Sequence, residues 1–403
     1  MSATPVSTQT LAIDGGTPVR KTLLPYGRQS VDEADIAAVV DVLRSDWLTT
    51  GPKVGEFEDA AASFVGTKHA VSFSSGTAAL HAAAFAAGLK PGDEAVTTPL
   101  TFAATANCIL YQGARPVFAD VDRDTLNIDP KQVAAKTSRK TRAIIAVDYA
   151  GHPADLGALR DIADKGDFVL IEDACHALGA EYRGKRVGSF VDMSVFSFHP
   201  VKHITTGEGG MVTTDRADFA EILRRFRNHG ISSEARQRQQ AGQWYYEMVL
   251  LGYNYRLPDI VCALGAEQLK KLPANLARRR EIAAQYASAF RELPGIMVPS
   301  VRSDVNPAWH LYPIRLDLEK LTADRAQVFR ALRAENIGVN VHYIPVHLHP
   351  YYRDRFGFHT GQFPVAEGAY ERLISLPMFH GMSAQDVEDV ITAVAKVLAS
   401  YSR

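Results

Sequence analysis

Seven short apolar runs dictate the kind of fold this 403-residue chain can adopt. They are His69 to Phe73, Glu94 to Thr98, Pro116 to Asp120, Arg142 to Asp148, Phe168 to Ile171, Met193 to Phe198 and Gly210 to Thr213. Most are separated by helix-forming stretches such as Ala103 to Gln112. Short apolar runs without alternation read as strands buried on both faces, and strands separated by helices pair in parallel. The fold class expected is α/β: a large domain on a mostly parallel seven-stranded sheet, with a smaller C-terminal α+β domain. Trp309 to Leu316, Val339 to Tyr343 and helices near Ala323 to Ala334 and Ala384 to Ser400 suit the smaller domain. The boundaries expected are a flexible N-terminal arm over 1–20, a large domain over 21–265 and a small domain over 266–403. Ile260 to Leu293, read as one or two long helices, crosses between them.

Ligands of such sheets sit at the carboxyl ends of strands, and Ser75, Asp173 and Ser197 fall at or just beyond strand ends. The turn Ser75-Gly76-Thr77 feeds an alanine-rich helix whose first amides and positive dipole end suit a phosphate. Asp173 ends an apolar strand, where an ionised carboxylate needs a cation or several donors. Lys202 follows Pro200 beside a hydroxyl- and glycine-rich loop; an amine held among apolar groups is disfavoured in its charged form and can act as a nucleophile. Each feature alone has a plain structural reading: a helix cap, a capping carboxylate, a loop lysine. Together they ask for a ligand with a phosphate, a protonated ring nitrogen and an aldehyde. Pyridoxal 5'-phosphate has all three.

The remaining composition narrows the partners. A formal charge of -1 with no basic block gives no sign of nucleic-acid binding. There is no apolar run of bilayer length and no signal core, so a membrane is not expected. Three dispersed cysteines, Cys108, Cys175 and Cys262, fit a reducing cytoplasm. His342, His347 and His349 cluster in sequence, but without a carboxylate on a regular element they predict no metal site; lining a groove is the reading preferred. The polar stretch Ser232 to Gln243 is expected to be mobile.

Six segments, taken in order and at their spacing, add a resemblance to these readings. They are Gly76-Thr-Ala-Ala-Leu80, Thr98-Pro-Leu-Thr-Phe-Ala-Ala-Thr-Ala-Asn107, Glu172-Asp-Ala-Cys-His-Ala-Leu-Gly179, Phe196-Ser-Phe-His-Pro-Val-Lys202, Thr205-Thr-Gly-Glu-Gly-Gly210 and Gly252-Tyr-Asn-Tyr-Arg-Leu257. The chain from Pro25 onward resembles the DegT/DnrJ/EryC1/StrS family of fold-type-I, pyridoxal-phosphate-dependent sugar aminotransferases.

The resemblance implies roles residue by residue. Lys202 would be the catalytic amine that joins the cofactor aldehyde. Asp173 would pair with the pyridine nitrogen, His176 would bond the phenolic oxygen and Phe102 would stack on the ring. Gly76, Thr77, Ala78 and Ser197 would hold the phosphate, and Asn254 would reach the phosphate of a second copy, giving a homodimer with shared active sites. Some relatives carry histidine in place of the lysine and dehydrate sugars, so Lys202 implies transamination. Within the family, Val147-Asp-Tyr-Ala-Gly151 and Val341-His-Tyr-Ile-Pro345 resemble the pseudaminic acid branch. That branch aminates C4 of UDP-2-acetamido-2,6-dideoxy-β-L-arabino-hex-4-ulose with L-glutamate. Its sugar-nucleotide contacts would fall on Tyr26, on Asp46, Trp47, Leu48 and Thr49, and on Asn340, Val341, His342 and Tyr343. Another nucleotide ketosugar or a keto-inositol is the alternative acceptor. A regulator that binds the cofactor without catalysis would lack Lys202 or carry a DNA-binding module, and neither is seen.

Overall fold

In a computed structural model, residues 10–233, 238 and 241–403 are described. Part of the stretch expected to be mobile, residues 234–237 and 239–240, lies outside them, as do residues 1–9 of the expected arm. The seven apolar runs form one sheet: β1 (His69–Phe73), β2 (Glu94–Thr97), β3 (Arg115–Phe118), β4 (Thr141–Val147), β5 (Val169–Asp173), β6 (Met193–Ser197) and β7 (Gly210–Thr214). Their order is β1-β7-β6-β5-β4-β2-β3. Pairing is parallel from β6 across to β3, and β7 is antiparallel to both its neighbours.

The lack of alternation in these runs has its cause in burial on both faces. Along β4, Ala143 and Ile145 enter the core on one face while Ile144 and Ala146 enter the core on the other. Each buried Ile, Leu or Val contributes about 1.5–3 kcal/mol of transfer free energy, so both faces must be covered. The helix Gly76–Ala86 does this with small side chains: Ala79, Ala82, Ala83 and Ala84 are fully buried. Its start is fixed by Ser75, whose Oγ accepts from the Ala78 N–H at 3.1 Å.

The stretch read as one or two helices is a single 32-residue helix, Asp259–Phe290, with Pro273 inside it. Asp259 accepts from the N–H groups of Gly51 at 2.7 Å and Lys53 at 2.9 Å, which ties its first turn to the loop before Pro52. Its first half places Cys262, Leu269 and Leu272 in a core shared with Phe57 and Phe198. The second half places Ile282, Tyr286 and Phe290 in a core built on the strands Tyr312–Leu316 and Leu373–Leu376. One helix therefore belongs to both cores.

Two expectations are corrected. Val339 to Tyr343 is not a strand of the smaller sheet; it carries only the isolated Asn340–Ser375 bridge. Its other polar groups are engaged elsewhere, with the His342 carbonyl accepting from the Tyr149 hydroxyl at 2.6 Å. The described part of the expected arm, residues 10–20, is not free. Leu11 is buried in the core built on Tyr312–Leu316 and Leu373–Leu376. The Glu335 carboxylate accepts from the N–H groups of Ala12 and Val19, each at 2.9 Å. Lys396, itself buried, binds Glu335 at 2.8 Å and the Thr17 carbonyl at 2.9 Å.

Removing one partner of a buried ion pair leaves the other charge without compensation. Glu335→Ala would strand the Lys396 ammonium and the two N–H groups, and is expected to lower stability by about 3–5 kcal/mol. Chemical denaturation of the variant against the wild type checks this; a loss below about 1 kcal/mol, the scale of an exposed pair, would show that the strap is not anchored there.

Candidate active site

The carboxyl ends of β5 and β6 open into a cavity of about 640 Å³. The helix start at Gly76 approaches the end of β6 closely: a Cβ on Gly76 would lie 2.9 Å from Ser197 Cβ and 3.1 Å from its Oγ. Only glycine lets the turn and the Ser197 hydroxyl converge on the same space. Asp173, at the tip of β5, lines the cavity and is 6% exposed. Its Oδ2 accepts from the Thr105 hydroxyl at 2.7 Å and its Oδ1 from the Cys175 N–H at 3.3 Å. Thr105 is oriented in turn by Thr101, with the two hydroxyls 2.8 Å apart.

Lys202 enters from the loop after β6. Burial lowers its pKa, and the nearby Cys175 and Asp173 only partly offset that effect. Just past the end of β5, the His176 Nε2 lies 3.0 Å from the Tyr343 hydroxyl, which comes from the opposite wall. The His176 ring centroid is 4.4 Å from that of His310. Phe102 projects into the cavity with its ring centroid 6.0 Å from that of Tyr343.

Twelve of the residues singled out from sequence line this one space: Tyr26, Gly76, Thr77, Phe102, Asp173, His176, Ser197, Lys202, Asn340, Val341, His342 and Tyr343. Ala78 does not; its N–H serves the Ser75 cap. Asp46, Trp47, Leu48 and Thr49 lie in a loop away from the lining, and Asn254 is exposed, with its backbone bridged to Asn228. The histidines weighed as metal ligands diverge: His347 bonds Glu367 at 2.9 Å, while His342 bonds Ser375 at 2.9 Å. Sequence reasoning missed Thr105 and His310. The four-residue spacing of Thr101 and Thr105 on a helical turn was a usable signal for the first. His310 carried none, because the fold alone brings it to His176.

The fit of pyridoxal phosphate can be judged from these groups. The Gly76 turn is a cradle that a Cβ would fill, and the Ser197 hydroxyl stands beside it. The His176 Nδ1 is buried with no hydrogen-bond partner among the described residues. A carboxylate and an amine with a weakened hold on its proton face the same cavity. The residues present fit the cofactor.

His176 and His310 are held well below the usual histidine pKa of 6.5 by burial first and the Lys202 charge second. His203 is also held well below it, by burial first and then Arg279. At these three histidines the folded chain binds fewer protons than the unfolded chain below about pH 6.5, and the stability they contribute falls with acidification. Each of these histidines is expected to contribute up to about 1.4 kcal/mol per pH unit between pH 6.5 and 5. Denaturation midpoints across that range, compared with those of His203→Gln, check the slope; equal slopes would show that His203 protonates freely in the folded protein.

Comparisons with known proteins agree with this geometry. The profile of the DegT/DnrJ/EryC1/StrS aminotransferase family matches residues 29–395. Spore coat polysaccharide biosynthesis protein SpsC of Bacillus subtilis is 44% identical over 381 residues, covering 94% of this chain and 98% of that protein. Among solved structures, Helicobacter pylori PseC, an aminotransferase involved in the biosynthesis of pseudoaminic acid, superposes with a TM-score of 0.87 at 33% identity. The match covers 94% of this chain and 100% of PseC. The sugar aminotransferase Spr1654 of Streptococcus pneumoniae, in its PLP form, gives a TM-score of 0.87 at 31% identity over 94% of this chain and 99% of its own. This chain belongs to the DegT/DnrJ/EryC1/StrS aminotransferase family, and it is a pyridoxal-phosphate-dependent sugar aminotransferase of fold type I.

Proposed function

We propose that the chain transfers the amino group of L-glutamate to C4 of UDP-2-acetamido-2,6-dideoxy-β-L-arabino-hex-4-ulose. The observation that carries this reading is the placement of Tyr26 and Asn340 to Tyr343 across the cavity from Lys202, in a chain superposable on PseC over 94% of its length. When bound, pyridoxal phosphate supplies an aldehyde that accepts the amino group and a ring that withdraws electrons from the reacting carbon.

The chain's own residues do the rest. The Gly76 and Thr77 turn and the Ser197 hydroxyl would hold the phosphate, and Phe102 would cover the ring. The Asp173 carboxylate, held by Thr105 and the Cys175 N–H, would face the ring nitrogen and hold a proton there. His176, itself fixed by Tyr343, contacts the phenolic oxygen. The Lys202 Nζ, whose hold on its proton burial weakens, would serve as the base and acid that carries the proton removed from the amino donor.

The same reading includes a homodimer with shared active sites. Lys202 is the only lysine or arginine among the described lining residues, whereas the cofactor, the donor and the nucleotide all bring negative charge. Asn254 of a second copy would reach the phosphate, and the loop Asp46 to Thr49 would join the sugar-nucleotide site. Trp244 is 83% exposed and Leu251 is 72% exposed in the single chain, an apolar surface that a second copy would cover. Three free cysteines suit a cytoplasmic setting.

A second reading has its own observation. The 44% identity to SpsC exceeds the 33% to PseC, which favours a different nucleotide ketosugar, or a keto-inositol, as acceptor. The visible spectrum of the holoenzyme should change with L-glutamate and revert with the UDP-L-arabino-hexulose. Lys202→Ala is expected to lose about 10²–10⁴-fold in turnover while keeping its fold. Reversion only with another ketosugar would retain the aminotransferase and reject the proposed substrate.

A further inference from the structure

Two buried carboxyls lie behind the site and do not line its cavity. β4 and β5 run parallel with Ala146 opposite Glu172 and Val147 opposite Asp173, so Asp148, just past the end of β4 and two residues on from Ala146, falls on the same face of the sheet as Glu172. Both are 0% exposed. Asp148 Oδ1 accepts from the Ala154 N–H at 2.9 Å, and Glu172 Oε2 accepts from the Ser194 hydroxyl at 2.6 Å. The remaining oxygens, Asp148 Oδ2 and Glu172 Oε1, are buried and meet no N–H or O–H of any described protein group. The two carboxyls nevertheless lie close enough for each to shift the other's ionisation. Ionised carboxylates only accept, so a bond between two of them requires a proton.

We propose that Asp148 and Glu172 share a single buried proton, so that the pair fixes the turn after β4 and places one negative charge, not two, behind Asp173. Three ionised carboxylates at adjoining strand ends would repel strongly in a site of low dielectric. The groups facing the pair are Asp173 on β5, Ser194 on β6 and the backbone N–H groups of Ala154 and Gly188; none is a cation. Burial, followed by the Glu172 charge, raises the Asp148 carboxyl well above the usual range, and burial raises the Glu172 carboxyl too, so the proton belongs to the pair.

The turn so fixed reaches several cavity residues. Tyr149 donates to the His342 carbonyl at 2.6 Å. Gly151 packs so closely that a Cβ there would lie 2.7 Å from the His176 carbonyl and 2.9 Å from the His310 N. The Asp148 N–H donates to the Asp173 carbonyl at 3.2 Å. Asp148 and Glu172 thus act as positioning residues. The charge placement rests on the role proposed for Asp173; the shared proton does not.

Counting charges tests both parts. Asp148→Asn and Glu172→Gln each exchange one carboxyl for an amide that can donate to the other, now ionised, so the pair keeps its charge. The double variant loses it. In the wild-type holoenzyme, infrared spectra at pH 8 should show a protonated-carboxyl C=O stretch that shifts in D₂O and is absent from both single variants. The pH midpoint of the bound cofactor's visible absorption should stay in place in the single variants. It should move down by at least about half a unit in the double variant. Absence of the band, or a midpoint already displaced in a single variant, overturns the proposal. Should an amide variant fail to fold, Ser194→Ala removes a donor to Glu172 but spares the proton. It should keep the band at a changed frequency, and an unmoved band would overturn the assignment.

Discussion

A lysine amine withdrawn from water is the constraint on which the site depends. Lys202 is delivered by a loop that leaves the sheet at Ser197, and its charged form loses hydration there without gaining an ion pair among the described residues. Its nearest compensating charge, Asp173, comes from the end of β5. Asp173 in turn is committed to Thr105 and to the Cys175 N–H. A nucleophilic amine and a fixed carboxylate therefore arise from one arrangement of adjoining parallel strands. The close approach of Gly76 to Ser197 closes the same space from a third element.

The second wall of the cavity comes from the chain's far end and is tied to the long helix Asp259–Phe290. Arg279 in that helix is buried and donates to the carbonyls of Trp309 at 3.0 Å and Met378 at 2.9 Å. Those bonds hold the segment that presents His310 to His176. The helix is anchored at its start by Asp259, which accepts from the Gly51 N–H, and at its end by Tyr286 and Phe290 in the core on Tyr312–Leu316. The rigidity of a 32-residue helix thus transmits position between the wall that carries Lys202 and the wall that carries His342 and Tyr343.

The sheet was legible because each strand is buried on both faces and so carries a run of apolar residues with no competing pattern. The three cavity anchors were legible because strand ends are where such sheets bind ligands, and Gly76, Asp173 and Lys202 each sit next to a break in an apolar run. Thr105 and His310 were obscured for different reasons. Thr105 looks like one more small residue in a helix, and only the position of Asp173 gives it a task. His310 lies more than a hundred residues in sequence from every cavity group on the first wall, and its placement follows from Arg279. The arm through residue 20 looked free because its sequence is small and polar. The acceptor that captures its N–H groups, Glu335, is remote in sequence and invisible to local reasoning.

The claim that Lys202 carries the cofactor chemistry can be tested at the level of the covalent bond. The holoenzyme would be reduced with borohydride, digested and mapped by mass spectrometry. The account predicts the reduced cofactor's mass on the peptide that contains Lys202, and its disappearance when L-glutamate is added before reduction. Label on a different lysine, or on none while the cofactor is bound, would contradict it.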